Sequence, residues 1–241
     1  MNLDILVFAA HPDDAELSMG GTIARLTGKG IKVGIIDLTK GELGTRGTVE
    51  LRQKEAEKAS KILHLTQRVN LGLPDGKLYA NDESVDKVIS MIRKYKPQII
   101  FASYFNDRHP DHVAASEIVK RGMFLSGLTK IKTSCEGKKQ EPYRPKKLFY
   151  YMHMYEFDPT FIVDISKTFK TKMEAVMAYG SQFYDSKSEE PETFISQPNF
   201  LKFLEARARI FGFKIGKDFG EPFYCEENIE FDFECMLEKT K

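Results

Sequence analysis

Two short stretches of this chain hold residues whose types and spacing suit metal binding and proton transfer. They are Ala10-His11-Pro12-Asp13-Asp14-Ala15-Glu16 and Tyr104-Phe105-Asn106-Asp107-Arg108-His109-Pro110-Asp111-His112. In the first, Pro12 biases His11 toward an extended backbone and suits a first helical turn, so the chain turns between His11 and Asp14. A histidine and a carboxylate across such a turn can converge on one metal ion. The acidic pair also has a plainer use: carboxylates are favoured at a helix start by capping and by the helix dipole, with His11 then a packed strand-end residue. The second stretch holds two of the five histidines around another Pro-Asp pair. Its plainer use is an Asx-rich turn in which Asp111 caps the next helix.

What positions these turns is an alternation of short apolar runs with longer helical patterns. Leu3 to Ala9 and Lys32 to Leu38 read as buried strands, with a helix from Asp14 to Thr27 between them whose Leu17, Gly20, Gly21 and Ala24 keep its sheet-facing side small. The pattern continues with a helix over Val49 to Leu63, a strand over Arg68 to Leu71 and a helix over Val85 to Tyr95. A strand over Gln98 to Ser103 and a helix over His112 to Leu125 complete it. Such alternation implies right-handed crossovers and a doubly wound, Rossmann-like, mainly parallel α/β sheet. In strand order 3-2-1-4, strands one and four are neighbours at the switch point, where ligands bind beyond the strands' carboxyl ends, and both His-Pro-Asp turns land there. Two histidines and one carboxylate with a position left open for water describe a catalytic zinc site, which assigns His11, Asp14 and His112 as ligands.

The rhythm breaks after residue 127. Residues 1–127 read as the core, and 128–241 as a cap and C-terminal extension of the same single domain. In that extension, Leu148 to His153 and Phe161 to Ile165 read as strands, and Lys167 to Tyr179 and Asn199 to Phe211 as helices. The aperiodic segment 185–198 reads as a mobile loop and candidate lid, with Tyr184 beside it as a candidate substrate contact. Phe200, Phe203, Phe211 and Phe213 read as cap core. His153 reads as a packed residue rather than a ligand, and His64 as a solvated helix end.

With 36 Lys and Arg against 35 Asp and Glu in 241 residues, overall charge gives no attraction to nucleic acid or anionic lipid. The 41% hydrophobic content supports a sizeable core. Three widely spaced cysteines without a CxxC argue against a disulfide framework or a thiolate zinc site. The N-terminal stretch lacks a basic region and a long apolar run, so a cytoplasmic protein with no membrane contact is expected. No G-x-G-x-x-G follows the first strand, which disfavours a dinucleotide, and no G-x-S-x-G elbow or P-loop is present.

The AHPDD at 10–14 and HPDH at 109–112 in their strand contexts, with GTRGTVELRQKEA at 44–56, SQF at 181–183 and GEPF at 220–223, give a resemblance. The chain resembles the LmbE/PIG-L family of zinc-dependent sugar de-N-acetylases. Its closest resemblance is to the bacillithiol-biosynthesis branch, which deacetylates N-acetylglucosaminyl malate; chitooligosaccharide or inositol-linked sugars are the alternatives within the family. The resemblance implies one Zn²⁺ per chain, with other divalent metals able to replace it, and a homo-oligomer. It further implies Asp13 as general base, and His109, oriented by Asp111, as the group that stabilises the oxyanion, with either Asp13 or His109 donating the proton to the departing amine. Arg52, on the helix after the loop Gly41 to Gly47, and Arg46 are the expected substrate-binding residues, with Arg52 pairing a neighbouring Glu on an exposed helix face as its plainer use. A binding protein without turnover, or a phosphoesterase, would use the same pocket; the first has no need of a spare carboxylate at Asp13, and the second commonly uses more carboxylates.

Overall fold

A computed structural model describes residues 1–183, 186 and 189–230. The expectation for Tyr184, and part of that for the 185–198 segment, lies outside the described residues. The elements in chain order are β1 (Ile5–Ala9), α1 (Asp14–Thr27), β2 (Val33–Thr39), α2 (Val49–Ile62), β3 (Gln67–Leu73), α3 (Asp82–Tyr95), β4 (Ile99–Ser103) and α4 (Pro110–Ser126). A small hairpin follows, β5 (Ser134–Cys135) and β6 (Lys138–Lys139). Then come β7 (Lys147–Tyr151), β8 (Phe161–Asp164), α5 (Phe169–Met177), a 3₁₀ turn at Gly180–Gln182, α6 (Phe200–Phe213) and β9 (Gly220–Tyr224).

The large sheet runs β3-β2-β1-β4-β7-β9-β8. Strands β3, β2, β1, β4 and β7 pair in parallel, while β9 runs antiparallel to both β7 and β8. Strand alternation divides the core into two layers. Ile5, Val7 and Ala9 pack with Ile23, Ile35 and Tyr179 on one face, and Leu6, Phe8 and Ala10 with Ile36, Val88 and Ile89 on the other. A central strand buried on both faces is what the unbroken apolar run of β1 encodes.

The 128–230 part differs from a cap laid over the sheet: β7, β9 and β8 extend the sheet itself. Strand β9 has no counterpart in the sequence reading, because Pro222 interrupts an otherwise short run. Pro222 pairs with Ile162 of β8, but β7 on the other side pairs only with Phe223 and Tyr224, so the Pro222 position lies beyond the β7 ladder. Of the four α6 phenylalanines, Phe200 and Phe211 are buried, whereas Phe203 lies at the surface and Phe213 is 85% exposed. The aromatic pattern of α6 thus runs one turn past the part that the fold covers.

Helix α1 bends at Met19 (φ −138°). There the Glu221 carboxylate accepts the main-chain N–H groups of Gly21 (3.0 Å) and Thr22 (2.7 Å) and the Thr22 hydroxyl (2.6 Å), capping the second half of the helix from β9. Lys172 Nζ closes on the same carboxylate at 2.6 Å. The glycines serve this packing rather than the sheet: a Cβ on Gly21 would stand 2.8 Å from Ile165, and one on Gly20 3.2 Å from Lys172. Deeper, Arg68 of β3 forks onto Asp37 (2.7 and 2.8 Å) and reaches Glu16 (2.6 Å), fastening the first turn of α1 to β2 and β3. No helix among the described residues is long and apolar enough to cross a membrane.

Candidate active site

Beyond the carboxyl ends of β1 and β4 a cavity of about 540 Å³ opens, lined by His11, Asp13, Asp14, His109 and His112. A second cavity of about 530 Å³ lies between α2 and β3 on the far side of Pro12, and no histidine lines it.

The three expected ligands meet. Asp14 stands between the two rings, its Oδ2 3.4 Å from His11 Nδ1 and its Oδ1 3.3 Å from His112 Nε2, and one donor atom from each residue lies within 4.8 Å of the others. Donors held tetrahedrally at about 2.0–2.1 Å from a zinc ion are separated by roughly 3.3–3.4 Å. The two contacts end on different Asp14 oxygens, so they bring the three side chains within reach of one ion without tracing the edges of a tetrahedron. The far nitrogen of each ring is fixed by a carboxylate: His11 Nε2 donates to Asp75 Oδ1 at 3.0 Å, and His112 Nδ1 to Asp107 Oδ1 at 2.8 Å. This sets both tautomers and leaves His11 Nδ1 and His112 Nε2 with lone pairs toward the ion, the usual outer support of histidine ligands. Asp107 Oδ2 in turn accepts the Met154 N–H at 3.0 Å, and Asp75 Oδ2 the Leu43 N–H at 2.8 Å.

The field here favours a cation between the rings. Burial works against charge on His112, but Asp14 and Asp107 outweigh it and bring the ring up to about 9; His11 is likewise raised by Asp111, Asp14 and Asp75 against its burial. Burial would lift Asp75, yet hydrogen bonds from His11 and Leu43 hold it at about 2. His11, His109 and Asp111 form a second group of donors within the same reach. There, however, the Asp111 carboxylate already accepts the N–H groups of Gly76 (2.7 Å) and Leu78 (3.3 Å), and His109 Nδ1 is occupied as well.

Asp13 stands apart from the ligand set. It is 3% exposed and takes φ 112°, a region that costs a non-glycine residue about 1–3 kcal/mol and is found where surrounding structure enforces it. The enforcing group is Arg52: its Nη2 donates to Asp13 Oδ2 at 2.7 Å and to the Pro12 carbonyl at 3.0 Å, with Nε on the same carbonyl at 3.2 Å. Burial pushes Asp13 up to about 6, Arg52 pulling it down and Asp14 pushing it up. Asp13 makes no helix-capping bond, so the plain capping use of this turn does not hold.

Several expectations change accordingly. Arg52 is neither on an exposed face nor free for a substrate carboxylate; it is 8% exposed and anchored to Asp13 and Pro12. The loop glycines make room for it: a Cβ on Gly41 (φ +67°) or Gly44 would come within 2.7 or 3.0 Å of Arg52 Nη1. Arg46 lies behind the cavity, its Nε 3.6 Å from Glu190, and does not line it. His109, not Asp111, caps α4: its Nδ1 accepts the Asp111 N–H at 3.2 Å. His109 is thus oriented by the main chain of Asp111 rather than its carboxylate. A neutral ring held this way carries its proton on Nε2 and is a donor there. Burial and the charge on His112 and His11 lower the His109 pKa, so this neutral form prevails.

Asp75 and Asp107 are supports of the ligands that the sequence does not announce; the Leu73-Pro74-Asp75-Gly76 turn reads as simple punctuation, and only its place after β3 hints at the site. His153 is no ligand, but it is more than filler. Its ring stacks on His112 at 3.9 Å, with its nitrogens 3.1 Å from the Ser18 and 3.2 Å from the Ser103 hydroxyls. Burial and the neighbouring His112 take it down to about 3, which keeps it uncharged. The 44–56 and 181–183 motifs interlock: Ser181 donates through N–H (2.8 Å) and hydroxyl (2.7 Å) to Glu55, and Gln182 donates to the Arg46 carbonyl at 2.9 Å. From the 185–198 segment, Thr193, Phe194 and Ile195 line the cavity.

The family described as PIG-L: GlcNAc-PI de-N-acetylase matches residues 6–123. Diacetylchitobiose deacetylase of Thermococcus kodakarensis is 33% identical over 192 residues, covering 74% of this chain and 70% of that protein. A probable N-acetyl-alpha-D-glucosaminyl L-malate deacetylase 2 of Bacillus cereus is 31% identical over 136 residues, covering 51% and 62%. Among solved structures, the conserved protein TT1542 from Thermus thermophilus superposes with a TM-score of 0.86 at 40% identity, covering 95% of this chain and 97% of that one. The chain therefore belongs to the PIG-L, or LmbE, family of de-N-acetylases, hydrolases that act on amide bonds.

Proposed function

We propose that this protein is a zinc-dependent cytoplasmic enzyme that hydrolyses the acetamide of an N-acetylglucosaminyl conjugate, with N-acetylglucosaminyl malate, the bacillithiol precursor, as its substrate. The observation that carries the reaction is a carboxylate, Asp13, buried beside the His11, Asp14 and His112 donors yet outside them and held in a strained turn. A protein that only bound metal would have no use for it. The choice of malate rests on the sequence motifs and on the similarity to the Bacillus cereus protein.

His11 Nδ1, Asp14 and His112 Nε2 would hold the ion, which supplies Lewis acidity to water and to the acetamide carbonyl. A two-nitrogen, one-oxygen donor set also accepts iron, cobalt or manganese. Asp13 accepts the proton of the attacking water; burial has raised its basicity toward the neutral range, while Arg52 keeps it ionised. The proton it gains is the one the departing amine requires, so a single carboxylate serves both transfers. His109 Nε2–H donates to the oxygen on which negative charge develops, and needs no prior protonation to do so.

Amine release from N-acetylglucosaminyl malate, diacetylchitobiose and N-acetylglucosaminyl inositol, with and without a chelator, tests the reading. Release from none of them overturns the reaction, and a preference for either neutral sugar overturns the malate assignment. Asp13→Ala is expected to retain metal and lose turnover by about 10²–10⁴-fold; loss of the metal with activity would make Asp13 a ligand or a folding residue instead.

A further inference from the structure

Positive charge is left over on the α6 wall of the cavity. Arg207 is 8% exposed and lines the cavity together with Leu204 and Phe200 of the same helix. Its Nη1 donates to the main-chain oxygen of His153, and its guanidinium lies 5.3 Å from the Phe203 ring centre. Among the described residues no carboxylate pairs with it, and none of its other N–H groups makes a hydrogen bond. The adjacent carboxylate, Glu221, is already matched by Lys172 at 2.6 Å, by two main-chain N–H groups and by the Thr22 hydroxyl. Glu221, Glu156 and Asp107 act on Arg207 from a distance, but among the described residues none of them closes an ion pair with its guanidinium.

The other buried arginines near the cavity each have a carboxylate within 4 Å. Arg52 is paired with Asp13, Arg46 with Glu190, and Arg68 with Asp37 and Glu16. Burial takes Arg207 down to about 10, with Glu221, Glu156 and Asp107 pulling it back up. A buried guanidinium without a close counter-charge is costly, and one that lines a ligand cavity can recover that cost by binding an oxyanion.

We propose that Arg207 is a specificity-determining residue that takes a carboxylate carried by the substrate, so that the enzyme prefers acidic conjugates of N-acetyl sugars over neutral ones. This rests on the de-N-acetylase reading and narrows its substrate class. Carboxylate chemistry has two sources in such a cavity, the substrate's acidic substituent and the acetate released. The histidine side of the lining carries Asp13, Asp14, Asp75 and Asp107, with Arg52 held by Asp13 and Arg108 lying over the Phe194 ring, whereas α6 contributes Arg207 without a close carboxylate among the described residues.

The test compares kcat/KM for N-acetylglucosaminyl malate and for its neutral bis-amide in the wild type, Arg207→Gln and Arg207→Lys, with acetate inhibition measured in each. The acid-to-amide ratio is expected to exceed one in the wild type and to fall about tenfold or more in Arg207→Gln, through KM, with a smaller fall in Arg207→Lys. A ratio within about twofold of the wild type in both variants overturns the proposal and leaves Arg207 as the support of His153. Relief of acetate inhibition with that ratio unchanged also overturns it, in favour of a product site. If Arg207→Gln fails to fold by circular dichroism, Arg207→Lys carries the test. Calorimetric titration with glucosaminyl malate and its bis-amide reads the same ratio as an affinity: if no amine is released, the reaction reading fails while the Arg207 assignment is still decided.

Discussion

The pair Arg52–Asp13 separates two accounts of Arg52, a substrate clamp or the keeper of a base, and Arg52→Met distinguishes them. Methionine preserves the stem but removes the charge 2.7 Å from Asp13 and both hydrogen bonds to Pro12. Burial raises Asp13, while Arg52 is the largest influence lowering it, with the net at about 6. Loss of an adjacent opposite charge raises a carboxyl pKa by ~1–3 units. For a shift of about two units, the ionised fraction at pH 7 falls from about nine-tenths to roughly one-tenth, so turnover at pH 7 drops about tenfold and recovers near pH ~9. The sign is fixed: the acid limb of the pH profile moves up, because the neutral carboxyl gains relative to the ionised one. The assay is kcat and kcat/KM against pH for both proteins at matched metal content. A bound ion shifts both profiles in the same direction, so the displacement between them is the measured quantity. An acid limb that stays in place while KM rises would refute the reasoning and make Arg52 a substrate clamp.

Two further outcomes follow from the geometry. Asp107→Ala removes the partner that fixes the His112 tautomer at 2.8 Å, and metal affinity measured by chelator competition is expected to weaken about 10–100-fold, with unchanged affinity showing that Asp107 does not orient the ring. Gly21→Ala would place a Cβ 2.8 Å from Ile165, whose branched side chain cannot swing clear without disturbing β8 and α1; stability by chemical denaturation should fall by about 1–3 kcal/mol, and an unchanged midpoint would show that the two elements slide apart at no cost.

The parts of the site carried by local sequence were legible. His11 follows β1, Asp14 and His112 lie in the first turns of α1 and α4 after strands whose apolar runs are unmistakable, and the pairing of β1 with β4 brings the two turns together. Residues that act across the fold were not. Asp75 reaches His11 from the turn after β3, and its Pro-Asp-Gly setting is that of any turn. Arg52 shows helical spacing that fits an exposed face equally well, and only the packing of Gly41 and Gly44 against it reveals that it points inward. Arg207 lies in a helix whose phenylalanines dominate its pattern, and nothing near it in sequence shows that Glu221 is already taken by Lys172. Strand β9 stayed hidden because its stability comes from neighbours on both sides rather than from its own five residues.

The near balance of 36 cations and 35 anions conceals an ordered separation across the cavity. On the β1 and β4 side, Asp14, Asp75, Asp107 and Asp111 surround His11 and His112, and the raised pKa of both rings is the response of neutral imidazoles to that excess of carboxylate. A divalent ion answers the same field better than two protons, because it satisfies both ring nitrogens and Asp14 at once. Arg52 offsets the repulsion that Asp14 exerts on the Asp13 carboxylate; without that guanidinium, burial and Asp14 would act together to neutralise it. On the α6 side stands the Arg207 guanidinium, bonded to the His153 main-chain oxygen and without a carboxylate in ion-pair reach among the described residues. A substrate with an acetamide at one end and a carboxylate at the other has one favourable orientation in this field, acetamide toward the histidines and acid toward α6. Under the Arg207 assignment a neutral disaccharide gains nothing from the second interaction, and the charge pattern would discriminate substrates that the metal-binding residues alone would treat alike.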